Sequence, residues 1–151
     1  MAFLFPVRNC DNGEMIQILG LDHIVLRVSD MQRMTRFYCE VLDCRVERVR
    51  EELGMTQLRA GQSLIDLVAV DGELGKKGGA APGKEGRNLD HLCLRIEPFD
   101  QAELFAHLVA HGVMPGEART RYGADGYGPS VYISDPEGNT IELKGPPTSG
   151  G

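Results

Sequence analysis

The chain has no stretch of about 18 consecutive apolar residues, the length that a membrane-spanning helix needs. It also lacks an excess of basic residues, because 16 lysines and arginines face 22 aspartates and glutamates, for a formal net charge of −6. A nucleic-acid backbone is therefore excluded as the main partner, since such binding needs clustered positive charge. The short apolar start at 3–5 is interrupted by Pro6, so no secretory signal is predicted.

Cysteine is scarce as well. The four cysteines form no CxxC pair and no spacing typical of a disulfide scaffold: Cys10, Cys39, Cys44 and Cys93. Reduced thiols in the cytoplasm are the simplest prediction. With 151 residues, the chain has the size of one domain and is long enough for a hydrophobic core.

One eight-residue pattern occurs twice in the chain. LDHIVLRV occupies residues 21–28 and LDHLCLRI occupies residues 89–96, with five identical positions and apolar exchanges at the other three. The third position of each copy is a histidine, His23 in the first and His91 in the second. A repeat that contains a metal-ligand side chain predicts two copies of one unit, related by a pseudo-two-fold axis. Each copy would then offer its histidine to a shared centre.

Each copy is predicted to be a strand followed by a helix. Alternation places each histidine on the strand face opposite to the apolar residues. Ser29 and Gln32 have capping-box spacing before the first helix, and Asp100 and Glu103 have it before the second. Three short strands are predicted to close each unit, at about 44–50, 54–60 and 63–70 in the first and about 113–119, 129–134 and 139–144 in the second.

The last strand of each unit carries an acid between the same two apolar neighbours. The two triplets are Ile65-Asp66-Leu67 and Ile141-Glu142-Leu143. Each unit thus contributes one histidine from its first strand and one carboxylate from its last. The predicted fold class is α+β, with two tandem βαβββ modules that form curled sheets around a metal-binding cleft.

Domain boundaries follow from the same units. Module one is expected at about 20–70, and module two at about 89–145, within a single domain that spans 20–145. The glycine-rich segment 71–88 is predicted to be a flexible linker between them. Residues 1–19 are expected to be an N-terminal extension, and 146–151 a flexible tail.

These motifs resemble the vicinal oxygen chelate superfamily, which includes glyoxalase I, extradiol dioxygenases, fosfomycin-resistance enzymes and bleomycin-binding proteins. The resemblance rests on the paired LDH strands, on Phe37-Tyr38 near the end of the first helix and on SDPEGNTIELKG at 134–145. It covers about residues 20–145 and is closest to glyoxalase-like members. The family takes its metal ligands from the first and last strands of each module. Carried over by position, these ligands fall on His23, Asp66, His91 and Glu142.

Such a donor set suits one borderline divalent ion: zinc, nickel, manganese, iron or cobalt. Open coordination positions would accept two neighbouring oxygens of a small-molecule substrate, and Glu142 is the predicted general base. Glyoxalase I usually has glutamate where Asp66 stands. Fosfomycin-resistance enzymes and dioxygenases use three ligands, matching His23, His91 and Glu142.

Three classes of function follow from the resemblance. The first is a glyoxalase I-like isomerase or lyase, with a thiol such as glutathione as a candidate co-substrate; a fosfomycin-modifying enzyme also falls within this metal-dependent class. The second is a non-haem iron dioxygenase of the extradiol type, which a fourth ligand at Asp66 disfavours because too few coordination positions stay open. The third is a metal-free module that binds a drug or metabolite, which the histidine pair disfavours. The first class is preferred.

Other polar residues have two interpretations each. Arg27 and Arg95 share the histidine face and either hold an anionic substrate group or lie at the surface. His107 and His111 have a metal-like i, i+4 spacing, but they are predicted to be solvated on the polar side of the second helix. Residues 119–128 form either a mobile lid or an ordinary hairpin loop.

A homodimer is predicted, because an open curled sheet needs a partner to cover its concave face and unpaired edges. The long linker permits a site within one chain or a site shared between two chains. Both arrangements stay open at this point.

Overall fold

The computed structural model describes residues 16–148, which form two four-stranded mixed sheets. Residues 1–15 of the predicted extension and 149–151 of the predicted tail lie outside the described residues. Each sheet has the same topology, with the orders β1-β4-β3-β2 and β5-β8-β7-β6. The first and last strands of each module pair in parallel, and the other pairs are antiparallel. The predicted fold of two βαβββ modules is confirmed.

Module one contains four strands and one helix. The strands are β1 (His23–Val28), β2 (Arg45–Arg50), β3 (Met55–Ala60) and β4 (Ser63–Ala69). Helix α1 (Met31–Arg36) continues as a π-helical turn over Phe37–Val41. Short 3-10 turns follow β2 at Glu51–Leu53 and β4 at Gly75–Gly78. The three predicted closing strands agree with β2, β3 and β4 to within one residue.

Module two repeats the arrangement with β5 (His91–Arg95), α2 (Gln101–Ala110), β6 (Arg119–Gly123), β7 (Gly126–Ser134) and β8 (Thr140–Lys144). The strand predicted at 113–119 is wrong, because β6 begins where that prediction ends. Residues 119–128 form two paired strands with a two-residue turn at Ala124-Asp125, so this segment is a hairpin and not a lid loop. The edge-to-face contact of Tyr122 with Tyr127, with ring centroids 5.1 Å apart, packs the two strands together.

The helix caps confirm one prediction and correct another. Asp100 caps α2, because its carboxylate accepts a hydrogen bond from the backbone N–H of Glu103 at 3.0 Å. Asp30, and not Ser29, caps α1 through the backbone N–H of Arg33 at 2.9 Å. The backbone N–H of Ser29 instead donates to Glu137 Oε1 in module two at 2.6 Å.

Both modules turn their apolar faces to one common core. Module one contributes Leu26, Ile65 and Leu67, and module two contributes Ile141 and Leu143, all in the same cluster of buried residues. The faces with His23 and His91 are the opposite faces of these strands, so each points away from the core that the modules share.

Polar contacts also join the two modules. The buried hydroxyl of Tyr38 donates to Asp135 Oδ2 at 2.9 Å, and His107 Nε2 lies 2.8 Å from the carbonyl oxygen of Val41. His107 therefore contacts module one, whereas it was predicted to be solvated. His111 bonds only to its own helix, through the His107 carbonyl at 2.8 Å.

Candidate functional site

The first half of the candidate site lies on the outward face of module one. Strand β1 pairs with β4 so that Val25 is opposite Asp66, and period-2 alternation places His23 on the same face as Asp66. Asp66 is only 4% exposed. Its Oδ2 accepts a hydrogen bond from Gln57 Nε2 at 2.9 Å, whereas its buried Oδ1 has no hydrogen-bond partner.

The second half lies on the matching face of module two. Cys93 is opposite Glu142 across β5 and β8, which places His91 on the same face. His91 Nε2 is 3.3 Å from Glu142 Oε2. Glu142 is 6% exposed, and its buried Oε1 has no hydrogen-bond partner. The two halves therefore have the same composition: a half-exposed histidine beside a buried, partly unpartnered carboxylate.

An aspartate precedes each histidine and contacts its ring. Asp22 Oδ1 lies 2.6 Å from His23 Nδ1, and Asp90 Oδ2 lies 2.7 Å from His91 Nδ1. Such a contact orients the ring and leaves Nε2 available for a metal. The hydrogen bond that the His23 ring donates to Asp22 is the main reason why the pKa of His23 is raised, and the charge of Asp66 adds to the effect. The sequence reasoning missed both aspartates, although the repeated LDH pattern contains them.

The two halves do not meet within the chain. Among residues 16–148, no group of three histidine, cysteine, aspartate or glutamate side chains is placed to hold a metal ion. Because both sheets direct their apolar faces to one core, the His23 face and the His91 face both point away from that core. The structure thus brings His23 to Asp66 and His91 to Glu142, but it does not bring the two pairs together.

Among residues 16–148, three carboxylate oxygens are buried without a hydrogen-bond partner: Asp66 Oδ1, Glu142 Oε1 and Glu137 Oε2. The first two share a strand face with a histidine and fit a bound cation. A buried carboxylate oxygen without a donor loses its hydration and gains nothing in return, which costs about 1–3 kcal/mol or more for a charged group. A divalent ion at Asp66 Oδ1 or Glu142 Oε1 would remove that cost. The neighbouring imidazoles are ligands that the same ions prefer.

The structure adds two neighbours of His91 that the sequence did not indicate, and it decides between the two interpretations of Arg27 and Arg95. The ring of Tyr132 contacts His91 edge-on, with centroids 5.3 Å apart, and the guanidinium of Arg121 lies 4.4 Å from the Tyr132 centroid. Arg95 forms an ion pair with Asp125 at 2.6 Å. Arg27 donates to three backbone carbonyls of the linker, at Gly75, Gly79 and Ala80, so it holds the linker rather than a ligand.

The thiol of Cys93 shares the face with Glu142. Burial, followed by the charge of Glu142, raises the pKa of Cys93 to about 11. The thiol is therefore protonated at neutral pH, and it is a donor rather than a thiolate nucleophile.

No helix among the described residues is long and apolar enough to cross a membrane. A family model described as the Glyoxalase/Bleomycin resistance protein/Dioxygenase superfamily matches residues 20–143. The chain is 31% identical over 134 residues to the virulence protein STM3117 of Salmonella typhimurium, a match that covers 86% of this chain and 88% of that protein.

Solved structures agree with this match. The crystal structure of STM3117 superposes with a TM-score of 0.70 at 27% identity, covering 87% of this chain and 99% of that one. An integron cassette protein from the mobile metagenome of V. cholerae gives a TM-score of 0.68 at 28% identity, covering 87% and 98%. A lactoylglutathione lyase from Agrobacterium tumefaciens, at 18% identity, shares the fold, with a TM-score of 0.60 and coverage of 85% and 94%.

Proposed function

Because the chain belongs to the glyoxalase, bleomycin resistance protein and dioxygenase superfamily, we propose that it is a divalent-metal-dependent isomerase or lyase of the glyoxalase I type. Its substrate would be a small metabolite that presents two neighbouring oxygens, with a thiol such as glutathione as a candidate co-substrate. The proposed metal ligands are His23, Asp66, His91 and Glu142. The free thiols of Cys39, Cys44 and Cys93 are compatible with the cytoplasm as the proposed compartment.

One observation carries the proposal. Asp66 Oδ1 and Glu142 Oε1 are buried without a hydrogen-bond partner, and each carboxylate lies on the same face as a histidine of the neighbouring strand. A module that only sequesters an organic ligand has no need of two such costly carboxylates. A metal site needs such carboxylates, because the bound cation takes the place of the missing hydrogen-bond donors. This favours the metal-dependent reading over the metal-free one.

The two carboxylates would have different roles. Gln57 holds Asp66 through a hydrogen bond of 2.9 Å, and aspartate has a short side chain, so Asp66 would be a fixed ligand. Glu142 has a longer side chain, and its nearest polar contacts are His91 Nε2 at 3.3 Å and the thiol of Cys93. Glu142 would take a proton from one substrate carbon and return it to the neighbouring carbon. A bound ion would supply Lewis-acid stabilisation of the charge on the substrate oxygens.

We further propose that two chains complete each site. The first strand of each sheet, β1 or β5, is an edge strand and is open for pairing. Val25 on the His23 face is 51% exposed and Leu89 beside β5 is 46% exposed, which suits burial against a second copy. In a two-fold dimer, β1 of one chain would lie beside β5 of the other. Each of two equivalent sites would then take His23 and Asp66 from one chain and His91 and Glu142 from its partner.

The metal content of the purified protein tests the ligand assignment. The wild-type protein, loaded separately with zinc, nickel, cobalt, manganese or iron and then dialysed, is expected to retain stoichiometric metal with at least one of these ions. The variant His91→Ala is expected to lose it, because a ligand is removed. His111→Ala is the matched control, since His111 bonds only within its own helix. Full metal content in His91→Ala, measured by elemental analysis, would show that the assignment is wrong.

A further inference from the structure

A cavity of about 590 Å³ lies between the two modules, and we call it the seam cavity. Module one contributes one side of α1 and of its π-helical turn, and module two contributes residues 111–114 and 134–136. None of the four proposed metal ligands lines the cavity. Its volume is in the range of about 300–1,000 Å³ that is typical of sites for small molecules. The seam cavity is therefore a candidate binding site that is separate from the proposed metal centre.

The floor of the seam cavity is apolar. Phe37, Val41 and Val113 line it, and these side chains belong to the shared core, with 7–9% of each exposed. Met114 lines the cavity from module two and is 79% exposed, and Pro136 lies beside it in the lining. An apolar group that entered the cavity would remove part of this surface from water, which is favourable. The floor thus suits the apolar part of a ligand.

Three charged side chains of module one line the same cavity: Arg33, Arg36 and Glu40. All three are exposed, and they follow one another along one side of α1 and its π-helical turn. Within the described part of the chain, none of these side chains forms an ion pair or a hydrogen bond. Arg36 and Glu40 are four residues apart, which places them about one helical turn from each other. The cavity therefore offers two guanidinium groups and one carboxylate to a ligand.

The other titratable groups of the lining are already held by the protein. Asp135 is 4% exposed, and its oxygens accept four hydrogen bonds, from the hydroxyl of Tyr38 and from donors of the turn after β7. His111 bonds through Nδ1 to the carbonyl oxygen of His107. With His111 neutral, the two arginines and the two acids of the lining cancel in formal charge. The cavity thus favours a ligand that carries charges of both signs over a simple anion.

From this arrangement we propose that the seam cavity binds an α-amino acid with an apolar side chain. Arg33 and Arg36 bind the carboxylate of the ligand, because a planar fork of donors matches two carboxylate oxygens. Glu40, one turn farther along the helix, accepts hydrogen bonds from the ammonium group. The side chain of the ligand packs on the apolar floor. Because both modules line the cavity, the bound amino acid connects them, and neither a metal ion nor its proposed ligands take part.

Four probes that differ by one group each test the proposal by isothermal titration calorimetry. L-phenylalanine has all three groups, 3-phenylpropionate lacks the ammonium group, 2-phenylethylamine lacks the carboxylate, and glycine lacks the side chain. The wild-type protein is first freed of metal with a chelator, because amino acids also bind metal ions. It is expected to bind L-phenylalanine at least about 10-fold more tightly than each of the other probes, the usual scale for one charge-assisted hydrogen bond or one buried apolar side chain.

Charge-removing variants assign the preference to residues. The double variant Arg33→Met with Arg36→Met is expected to bind L-phenylalanine no more tightly than the wild-type protein binds 2-phenylethylamine. Glu40→Gln is expected to bind it no more tightly than the wild-type protein binds 3-phenylpropionate. The matched control is Arg45→Met with Arg48→Met, because these two exposed arginines lie on β2 and do not line the cavity. The control is expected to keep the wild-type affinities.

Every other outcome overturns the proposal. No binding of L-phenylalanine to the wild-type protein does so, as does an equal affinity for 3-phenylpropionate, and neither comparison needs a variant to fold. Wild-type affinity in Glu40→Gln or in the variant of Arg33 and Arg36 would show that the amino acid binds elsewhere. The metal content of these variants is expected to equal that of the wild-type protein, so a failure at the seam cavity and a failure at the proposed metal centre are distinguishable.

Discussion

At the scale of single residues, the main result is that two acids at equivalent repeat positions have unequal surroundings. Asp66 is fixed by Gln57 through a hydrogen bond of 2.9 Å. Glu142 lacks such an amide partner, and its Oε2 is 3.3 Å from His91. The pseudo-symmetry of the fold is therefore broken at the two carboxylates, as the proposed roles require: Asp66 a fixed ligand, and Glu142 a ligand that also moves a proton.

Amide substitutions distinguish the two roles. Glu142→Gln keeps a ligating oxygen but removes most of the basicity, so we expect some metal to remain while turnover falls at least about 10²-fold. Asp66→Asn is expected to weaken metal binding more than it lowers the rate of the metal-saturated enzyme. The measurements are metal titration and turnover of an α-oxo aldehyde–thiol adduct at saturating metal. Wild-type turnover by metal-saturated Glu142→Gln would contradict the assignment of Glu142 as the base.

At the scale of secondary-structure elements, the N-cap of α1 differs from the one that the sequence pattern predicted, whereas the N-cap of α2 agrees with it. Both Ser29 and Asp30 are favourable N-cap residues, and the sequence favoured Ser29 because Gln32 follows at capping-box spacing. The contact of the Ser29 backbone N–H with Glu137 belongs to the other module, and no local pattern contains it. The long-range contact and the cap at Asp30 together define where α1 begins.

This difference predicts unequal effects of two neighbouring alanine substitutions. Asp30→Ala removes the cap on the Arg33 N–H and is expected to lower the free energy of unfolding by about 1 kcal/mol. Ser29→Ala is the matched control and is expected to change it by less than about 0.5 kcal/mol, because only the backbone of Ser29 bonds to Glu137. Urea unfolding curves of the two variants give both values. A larger loss in Ser29→Ala than in Asp30→Ala would show that the cap is assigned to the wrong residue.

At the scale of the whole molecule, the shared core decides where the chemistry lies. Each sheet buries its apolar face in the same cluster, and each histidine face is left on the outside. In one chain, the pair of His23 with Asp66 and the pair of His91 with Glu142 therefore lie on separate faces, and the proposed site needs both pairs. A second copy related by a two-fold axis is the simplest way to combine unlike halves.

Mixing two inactive variants tests this assembly. His23→Ala and His91→Ala homodimers each have a defect in both sites. In a mixed dimer with shared sites, one site has both defects and the other has none. Random reassortment of equal amounts should therefore restore about a quarter of the wild-type metal content, since about half of the dimers are mixed and each has one intact site of two.

The control is a mixture of His91→Ala with Glu142→Ala. These residues belong to the same half-site, and no pairing of the two variants gives an intact site. If sites formed within single chains, the mixture of His23→Ala and His91→Ala would restore nothing. That result, together with a monomeric sedimentation profile at micromolar concentration, would contradict the dimer proposal.

The sequence by itself determined the modules and the four candidate ligands. Strand alternation, the LDH repeat and the two Ile-acid-Leu triplets depend on residues that are close along the chain, and these patterns predicted which side chains share a strand face. Most strand limits in module one followed for the same reason. In module two, the position of strand β6 was not predicted, because the glycines at 123, 126 and 128 are typical of a loop. In the structure, the contact of Tyr122 with Tyr127 and the ion pair of Asp125 with Arg95 accompany a hairpin at this position.

Only the tertiary structure decided how the two modules face each other and which neighbours surround each histidine. Arg121 and Tyr132 come from β6 and β7, and they meet His91 of β5 across the sheet. Arg27 turned away from the site to hold three linker carbonyls. Such contacts join residues far apart in the sequence, and they are selected by the packing of two apolar faces into one core. No local pattern specifies that packing, because the same strands and helices are compatible with histidine faces that point toward each other or away.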